Sequence, residues 1–334
     1  MNKNRKIFII SLILISVFSI NIIASASDSS DENDPNIAAS ITSAAAVVID
    51  FQTGLIVYEF NADELRVPAS MVKMVAVYVV LDEIATGRIN MDTGISIRER
   101  TSAFSFNRAY SNVPLHTDSI YSISELLDVI IIRSASAATV ALGEGVFGSE
   151  AAMVAKMNEK AADLGIRAIF RDSWGGSRDN RISARGMAEI TRAMINDYPE
   201  ILEFTSKTEV YFEELPYRST NPLLTDYPGV DGFKTGFTNP AGWCFTGTAQ
   251  QGFRRLISVT MGSEFGHRFL DSIVLLDYGF YNVDRVIAGS LRDALQPADT
   301  VKVSGSALIP ISMLDIDEAQ NLTLLDTALI LNGS

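Results

Sequence analysis

Between residues 44 and 60 the apolar positions form two short runs around a glycine. Ala44 to Asp50 reads as a buried strand, Gly54 turns the chain, and Leu55 to Phe60 returns as the second strand of a hairpin. Pro68 punctuates the next entry, and Ala69 to Ala85 has the length and composition of a helix. From Met71 to Leu81 it is apolar almost all round, which predicts burial on every side; Gly87 is its stop. Residues 90–225 mix short helices with loops. Helices are predicted over 123–132 and 137–142, flanking Ser134, then over 151–164, ending near Gly165, and over 184–195. Asp172 to Asn180 reads as a loop. After Pro228 and Gly229 the pattern turns to strands at 230–237, 242–249 and 256–262, closed by a helix over 268–280. Two early strands thus meet three late ones with a helical lobe between them. This predicts an α/β (α+β) fold with a mainly antiparallel five-stranded sheet and flanking helices. Residues 285–334 hold only short apolar runs, such as Val301 to Val303 and Leu308 with Ile309, and predict a short β-rich appendage.

The start of the chain follows a different logic. Lys3, Arg5 and Lys6 precede an almost unbroken apolar run from Ile7 to Ile23, and Ala24, Ser25 and Ala26 fit an A-x-A cleavage site. Residues 1–26 read as a signal peptide; because the run is close to spanning length, a retained N-terminal anchor is the alternative. Either way the folded part, after a small, polar, acidic tether over 27–43, is expected in the extracytoplasmic envelope. No Cys near residue 26 offers a lipid attachment point.

Composition narrows the chemistry. The 334 residues are 47% hydrophobic and 20% charged, enough for one large domain and a small addition. A net charge of −13 argues against nucleic acid or an anionic membrane face as partner, and solubility explains it. Cys244 is the only cysteine, so no intrachain disulfide forms, and its apolar strand-like context reads as a small buried hydrophobe. His116 and His267, the only histidines, have no metal-ligand spacing, which disfavours a zinc hydrolase; no cofactor is called for.

Three short segments remain: Ser70 to Lys73, Ser134 to Ser136, and Lys234 to Gly236. A Ser hydroxyl is a poor nucleophile until a base takes its proton. Ser70 and Lys73, three apart at a helix start, lie on one face one turn apart. Lys73 can act as that base only if its pKa falls; burial would lower it, and Lys234 is the candidate second charge to lower it further. Ser134, in a turn before a small-residue helix, reads by itself as a helix cap, or else as a proton relay. Gly236 allows close backbone approach on its strand, and the N–H groups of Ser70 and Phe237 would pair as an oxyanion hole.

In order and context these segments resemble the S-x-x-K, S-x-N and K-T-G set of the serine penicillin-binding proteins and β-lactamases. VPASMVK (67–73), AVVIDFQTGLIVYE (46–59), NADEL (61–65), VDGFKTGFTNPAGWC (230–244) and RLISVTMG (255–262) are similar to the serine D-alanyl-D-alanine carboxypeptidases, the low-molecular-mass penicillin-binding proteins. The resemblance covers about residues 44–284 and implies a β-lactamase/transpeptidase-like fold for that span. It implies Ser70 as acylated nucleophile, Lys73 as its base and Ser134 as proton shuttle. Ser136, Lys234, Thr235, Gly236 and Phe237 would bind substrate, with Arg268 helping to hold a terminal carboxylate. The implied partner is the peptidoglycan stem pentapeptide, which would lose its terminal D-Ala, with β-lactam antibiotics as covalent inhibitors. Two departures stand out. Ser136 replaces the Asn of S-x-N, whose amide offers a donor and an acceptor together. The C-terminal part is short, with no basic amphipathic helix for lying on a membrane; membrane attachment would rest on the N-terminal segment if it is uncleaved. Two alternatives stay open. A β-lactamase would need a deacylating Glu, and no Glu between Ser134 and Lys234 has Asn four residues on. A catalytically silent wall-binding or scaffolding homologue is motivated by Ser136.

Overall fold

The computed structural model describes residues 35–294, 300–303 and 307–310. The signal segment expected over 1–26 lies outside the described residues. After a short α1 (Pro35–Ala38) come β1 (Ala45–Asp50) and β2 (Ile56–Phe60). A 3-10 turn over Ala69–Met71 then leads directly into α2 (Val72–Ala85). The inserted lobe holds β3 (Gly94–Ser96), α3 (Glu99–Ser105), β4 (Ile120–Ser122), α4 (Ile123–Ile132), α5 (Ser136–Val146), α6 (Glu150–Asp163), α7 (Ala184–Asp197) and α8 (Ile201–Thr205). It ends in the β5 (Glu209–Phe212) and β6 (Leu215–Arg218) hairpin and α9 (Leu223–Asp226). The chain then returns to the sheet as β7 (Val230–Thr238), β8 (Gly242–Gln251) and β9 (Arg254–Ser263), followed by α10 (Arg268–Ala294). A hairpin of β10 (Thr300–Val303) and β11 (Ala307–Pro310) comes last.

The main sheet has the order β2-β1-β9-β8-β7, antiparallel throughout. This is the five-stranded sheet expected from the sequence. Its alternation explains the apolar run in β1. Ala45, Val47 and Ile49 enter the core shared with the helical lobe, while Ala46 and Val48 enter a second core with Leu275, Leu276 and Val283 of α10. Side chains alternate faces along a strand, so a strand covered on both sides has no polar face to show. On α2, every residue from Val72 to Leu81 is buried, Lys73 included. A helix wrapped by the sheet and its neighbouring helices has no wet stripe, as its composition predicts.

Two boundaries differ from the sequence reading. The last helix does not stop at 280 but runs to Ala294, past the expected domain boundary at 284. Its apolar residues Leu275, Leu276 and Val283 pack on the sheet, and the polar positions beyond continue the same helix without a Pro or a C-capping break. The tether expected over 27–43 is docked at its end. Ile41 is buried, and Thr42 and Ser43 donate to the buried Asp271 carboxylate of α10. A carboxylate taken out of water needs such donors, and these hydroxyls supply them.

β7 is an edge strand, and its free edge lies against the turn that starts α2. Gly236 permits this: a Cβ there would sit 2.9 Å from the Pro68 carbonyl oxygen and 3.2 Å from the Ser70 nitrogen. The 172–180 loop closes on the same turn through Gly175, which has φ +89°. A Cβ on Gly175 would lie 2.0 Å from the Ala69 carbonyl oxygen. Gly175→Ala is therefore expected to cost at least about 3 kcal/mol, since it adds both a backbone clash and a left-handed conformation. Denaturant unfolding tests this, and a change as small as that of a surface substitution would contradict the contact.

Candidate functional site

The turn before α2, the strand β7, the segment before α5 and the 172–180 loop enclose a cleft of about 500 Å³. Ser70, Ser134, Ser136, Thr235, Gly236, Phe237 and Arg268 all line it. Lys73 and Lys234 lie behind the wall, fully buried. The structure thus brings all nine expected residues to one place.

Ser70 lies in the 3-10 turn immediately before α2, and Lys73 in the first turn of that helix. Lys73 Nζ donates to Ser70 Oγ at 2.9 Å and to the Trp174 carbonyl oxygen at 2.6 Å. Burial pulls the Lys73 ammonium down to about 7, against the opposing pull of the Asp172 carboxylate. Burial first, and then the charges of Lys73 and Arg268, hold Lys234 well below the usual lysine range. Lys234 Nζ donates to the Thr235 carbonyl oxygen at 3.1 Å. Among the described residues that line the cleft the one charged side chain is Arg268 and none is acidic, an environment that favours an anion.

Arg268 opens α10 and reaches back to the strand, donating from Nη1 to the Gly236 carbonyl oxygen at 2.9 Å. Its guanidinium stacks on the Trp243 ring at 4.6 Å, and its Nε is buried with no partner among the described residues. A desolvated donor of this kind favours an arriving acceptor.

Ser134 does not cap a helix. The residue before α5 is Ala135, which makes no side-chain cap, and the Ala137 N–H donates instead to Asn112 Oδ1 at 2.8 Å. Ser134 has φ +60°, and its Oγ is buried with no hydrogen-bond partner in the described structure. A strained residue with an unspent hydroxyl at a cleft wall is the kind of outlier that accompanies function. Ser136 is buried, with its N–H donating to the Ser111 carbonyl oxygen at 2.9 Å. Phe237 is exposed beside Trp243, their ring centroids 4.4 Å apart.

Sequence reasoning missed the back wall. The Trp174 carbonyl holds Lys73, and Thr220 Oγ1 shares a 2.8 Å hydrogen bond with Thr235 Oγ1. Asp172 accepts from the Gly175 N–H and the Asn180 side chain, and so fixes the loop that presents Trp174. The paired glycines after Trp174 were the one available signal, because loops that approach backbone closely need them.

Comparison with known proteins places this geometry. Residues 30–264 match the peptidase S11 family, described as D-alanyl-D-alanine carboxypeptidase. The D-alanyl-D-alanine carboxypeptidase DacF of Bacillus subtilis is 33% identical over 244 residues, covering 71% of this chain and 61% of the relative. Penicillin-binding protein 5 of Haemophilus influenzae superposes with a TM-score of 0.70 at 32% identity, over 72% of this chain and 71% of that one. Penicillin-binding protein D2 of Listeria monocytogenes, in its ampicillin-bound form, gives 0.64 at 29% identity, over 72% and 98%. The chain spans 61–63% of the length of the first curated relatives it matches. On these matches the chain belongs to the D-alanyl-D-alanine carboxypeptidase family, peptidase S11.

Proposed function

We propose that this protein is a serine D,D-carboxypeptidase that removes the terminal D-Ala from peptidoglycan stem pentapeptides. One observation carries the reading: Ser70 Oγ lies 2.9 Å from a fully buried Lys73, at the wall of a cleft whose one charged lining residue is Arg268. The family match and the relatives named as carboxypeptidases support it. The ampicillin-bound relative supports the companion reading that β-lactams acylate the same serine.

In this mechanism the terminal carboxylate of the substrate enters beside Thr235 and Arg268, with Lys234 behind them. Neutral Lys73 takes the Ser70 proton as Oγ attacks the penultimate carbonyl. The N–H groups of Ser70 and Phe237 hold the resulting oxyanion, because a free strand edge and a helix start both leave donors unspent. The C–N bond then breaks, and Ser134 passes a proton to the departing amine of D-Ala. Water hydrolyses the ester left on Ser70. Such a substrate lies outside the cytoplasm, in keeping with the N-terminal segment acting as an export signal or anchor; no helix among the described residues is long and apolar enough to cross a membrane.

Fluorescent penicillin should label the protein at one site, and Ser70→Ala should abolish both label and D-Ala release from a pentapeptide. An unlabelled, inactive wild type would overturn the reading in favour of a silent homologue. Since Lys73 acts only when deprotonated and its ammonium loses its proton near 7, penicillin acylation should rise about tenfold per pH unit below pH 7 and level off above it. A profile still rising at pH 9 would show an ordinary lysine. Ser136→Asn supplies the amide that S-x-N motifs carry. It should raise kcat/KM for the pentapeptide by roughly 5- to 150-fold, the worth of about 1–3 kcal/mol. A fall would show that this cleft is built around the shorter side chain.

A further inference from the structure

We propose that Tyr110 and Trp174 form the subsite for the side chain of the residue that precedes the D-Ala-D-Ala pair of the substrate, and that this aromatic wall selects a long aliphatic chain there. The assignment rests on the carboxypeptidase reading and deepens it. Both side chains line the Ser70 cleft on its lobe side, facing the end of β7.

Strand geometry decides which part of the substrate reaches that wall. β7 is an edge strand, and a peptide lying along its free edge extends the sheet by one strand. The Phe237 N–H holds the penultimate carbonyl in the proposed reaction, and the N–H and C=O of one strand residue point to the same side. The penultimate D-Ala therefore stands opposite Phe237 as a hydrogen-bonded pair. With the terminal carboxylate beside Thr235, the peptide runs antiparallel to β7, and its preceding residue stands opposite Thr238. Opposed residues of L configuration put their side chains on one face of a sheet, and faces alternate along a strand. Thr238 shares its face with Gly236, whose missing Cβ would meet the Pro68 carbonyl and the Ser70 nitrogen. The preceding side chain therefore points to the lobe side, toward Tyr110 and Trp174, and away from Phe237 and Trp243 on the opposite face.

The wall is built before the substrate arrives. Tyr110 and Trp174 meet edge to face with ring centroids 4.9 Å apart, and Phe104 braces the indole at 5.2 Å. A Cβ on Gly176 would lie 1.9 Å from the indole, so the ring rests directly on residue 176 and keeps that place only because residue 176 is glycine. The segment carrying Tyr110 is tied to the start of α5. The Ser136 N–H donates to the Ser111 carbonyl oxygen at 2.9 Å, and the Ala137 N–H donates to Asn112 Oδ1 at 2.8 Å. Tyr110 is nevertheless 45% exposed, which leaves part of its surface open to a ligand. Tyr110, Trp174, Gly176 and Thr238 carry no charge, and Arg268 is engaged by the terminal carboxylate in the proposed reaction. The wall therefore selects by apolar contact, which a long methylene chain supplies and a bare glycine does not.

The probes are diacetyl-L-lysyl-D-alanyl-D-alanine and acetyl-glycyl-D-alanyl-D-alanine, which differ only in that side chain. Wild type should release D-Ala from the lysyl peptide with a kcat/KM at least about tenfold higher, the worth of roughly two buried methylenes. Tyr110→Ala should cut this ratio to under about threefold, and Tyr110→Phe, which keeps the ring, should preserve it. Gly176→Ala, which displaces the indole, should lower it as well. Phe237→Ala, on the other face of the strand, should keep the ratio whatever it does to either rate. A wild-type ratio near one, a ratio unchanged in Tyr110→Ala, or a ratio lost only in Phe237→Ala would overturn the subsite and leave the carboxypeptidase reading standing. If penicillin labels the protein but neither peptide is hydrolysed, the carboxypeptidase reading falls and acylation rates test the subsite instead. The acyl group of a penicillin then stands in for the preceding residue. Benzylpenicillin should acylate faster than its analogue with an acetyl side chain by the same factor, and equal rates would overturn the subsite.

Discussion

Everything at this site depends on holding a lysine where water cannot reach it. Lys73 lies in a helix whose first ten residues are all buried, and its ammonium has two oxygen partners, the Ser70 hydroxyl and the Trp174 carbonyl. Both are neutral, so neither offsets the cost of removing a charge from water as a carboxylate would. Among the described residues the opposing carboxylate is Asp172, which acts on Lys73 through the field and makes its own hydrogen bonds to the loop. The protein resolves the cost by lowering the lysine's proton affinity, and a neutral amine beside a serine hydroxyl is a general base.

The remaining architecture brings backbone close to that pair. The edge strand β7 can approach Ser70 because residue 236 has no side chain, and the 172–180 loop can because residue 175 has none. Arg268 at the head of α10 is drawn toward the same strand by the Gly236 carbonyl. Sheet, lobe and final helix therefore meet where the reacting groups lie. The two cores on opposite faces of β1 fix their relative position.

Much of this was legible in the chain. The all-round apolar pattern of 71–81 gave a buried helix because nothing polar is tolerated on any of its faces, and Lys73 stood out within it. The five strands were legible because their apolar runs are bounded by glycine and proline. Helix α10 was underestimated because its later part packs against less and so carries a weaker apolar pattern. The docking of Thr42 and Ser43 on Asp271 joins residues more than two hundred positions apart, and no local pattern encodes it. The roles of Trp174 and Thr220 were hidden for a related reason. The first acts through a backbone carbonyl, which every residue has, and the second through a side-chain contact that depends on tertiary folding. The positive φ of Ser134 is likewise invisible in the chain, where a serine before a helix looks like a cap.

The central claim is that Lys73 is neutral at the pH where the serine must be activated. NMR titration of 13C-labelled lysine side chains, with the Lys73 signal assigned by its loss in Lys73→Met, measures this directly. A midpoint near 7 is the expected result. A Lys73 that stays protonated to pH 10, as an ordinary lysine does, would contradict the account.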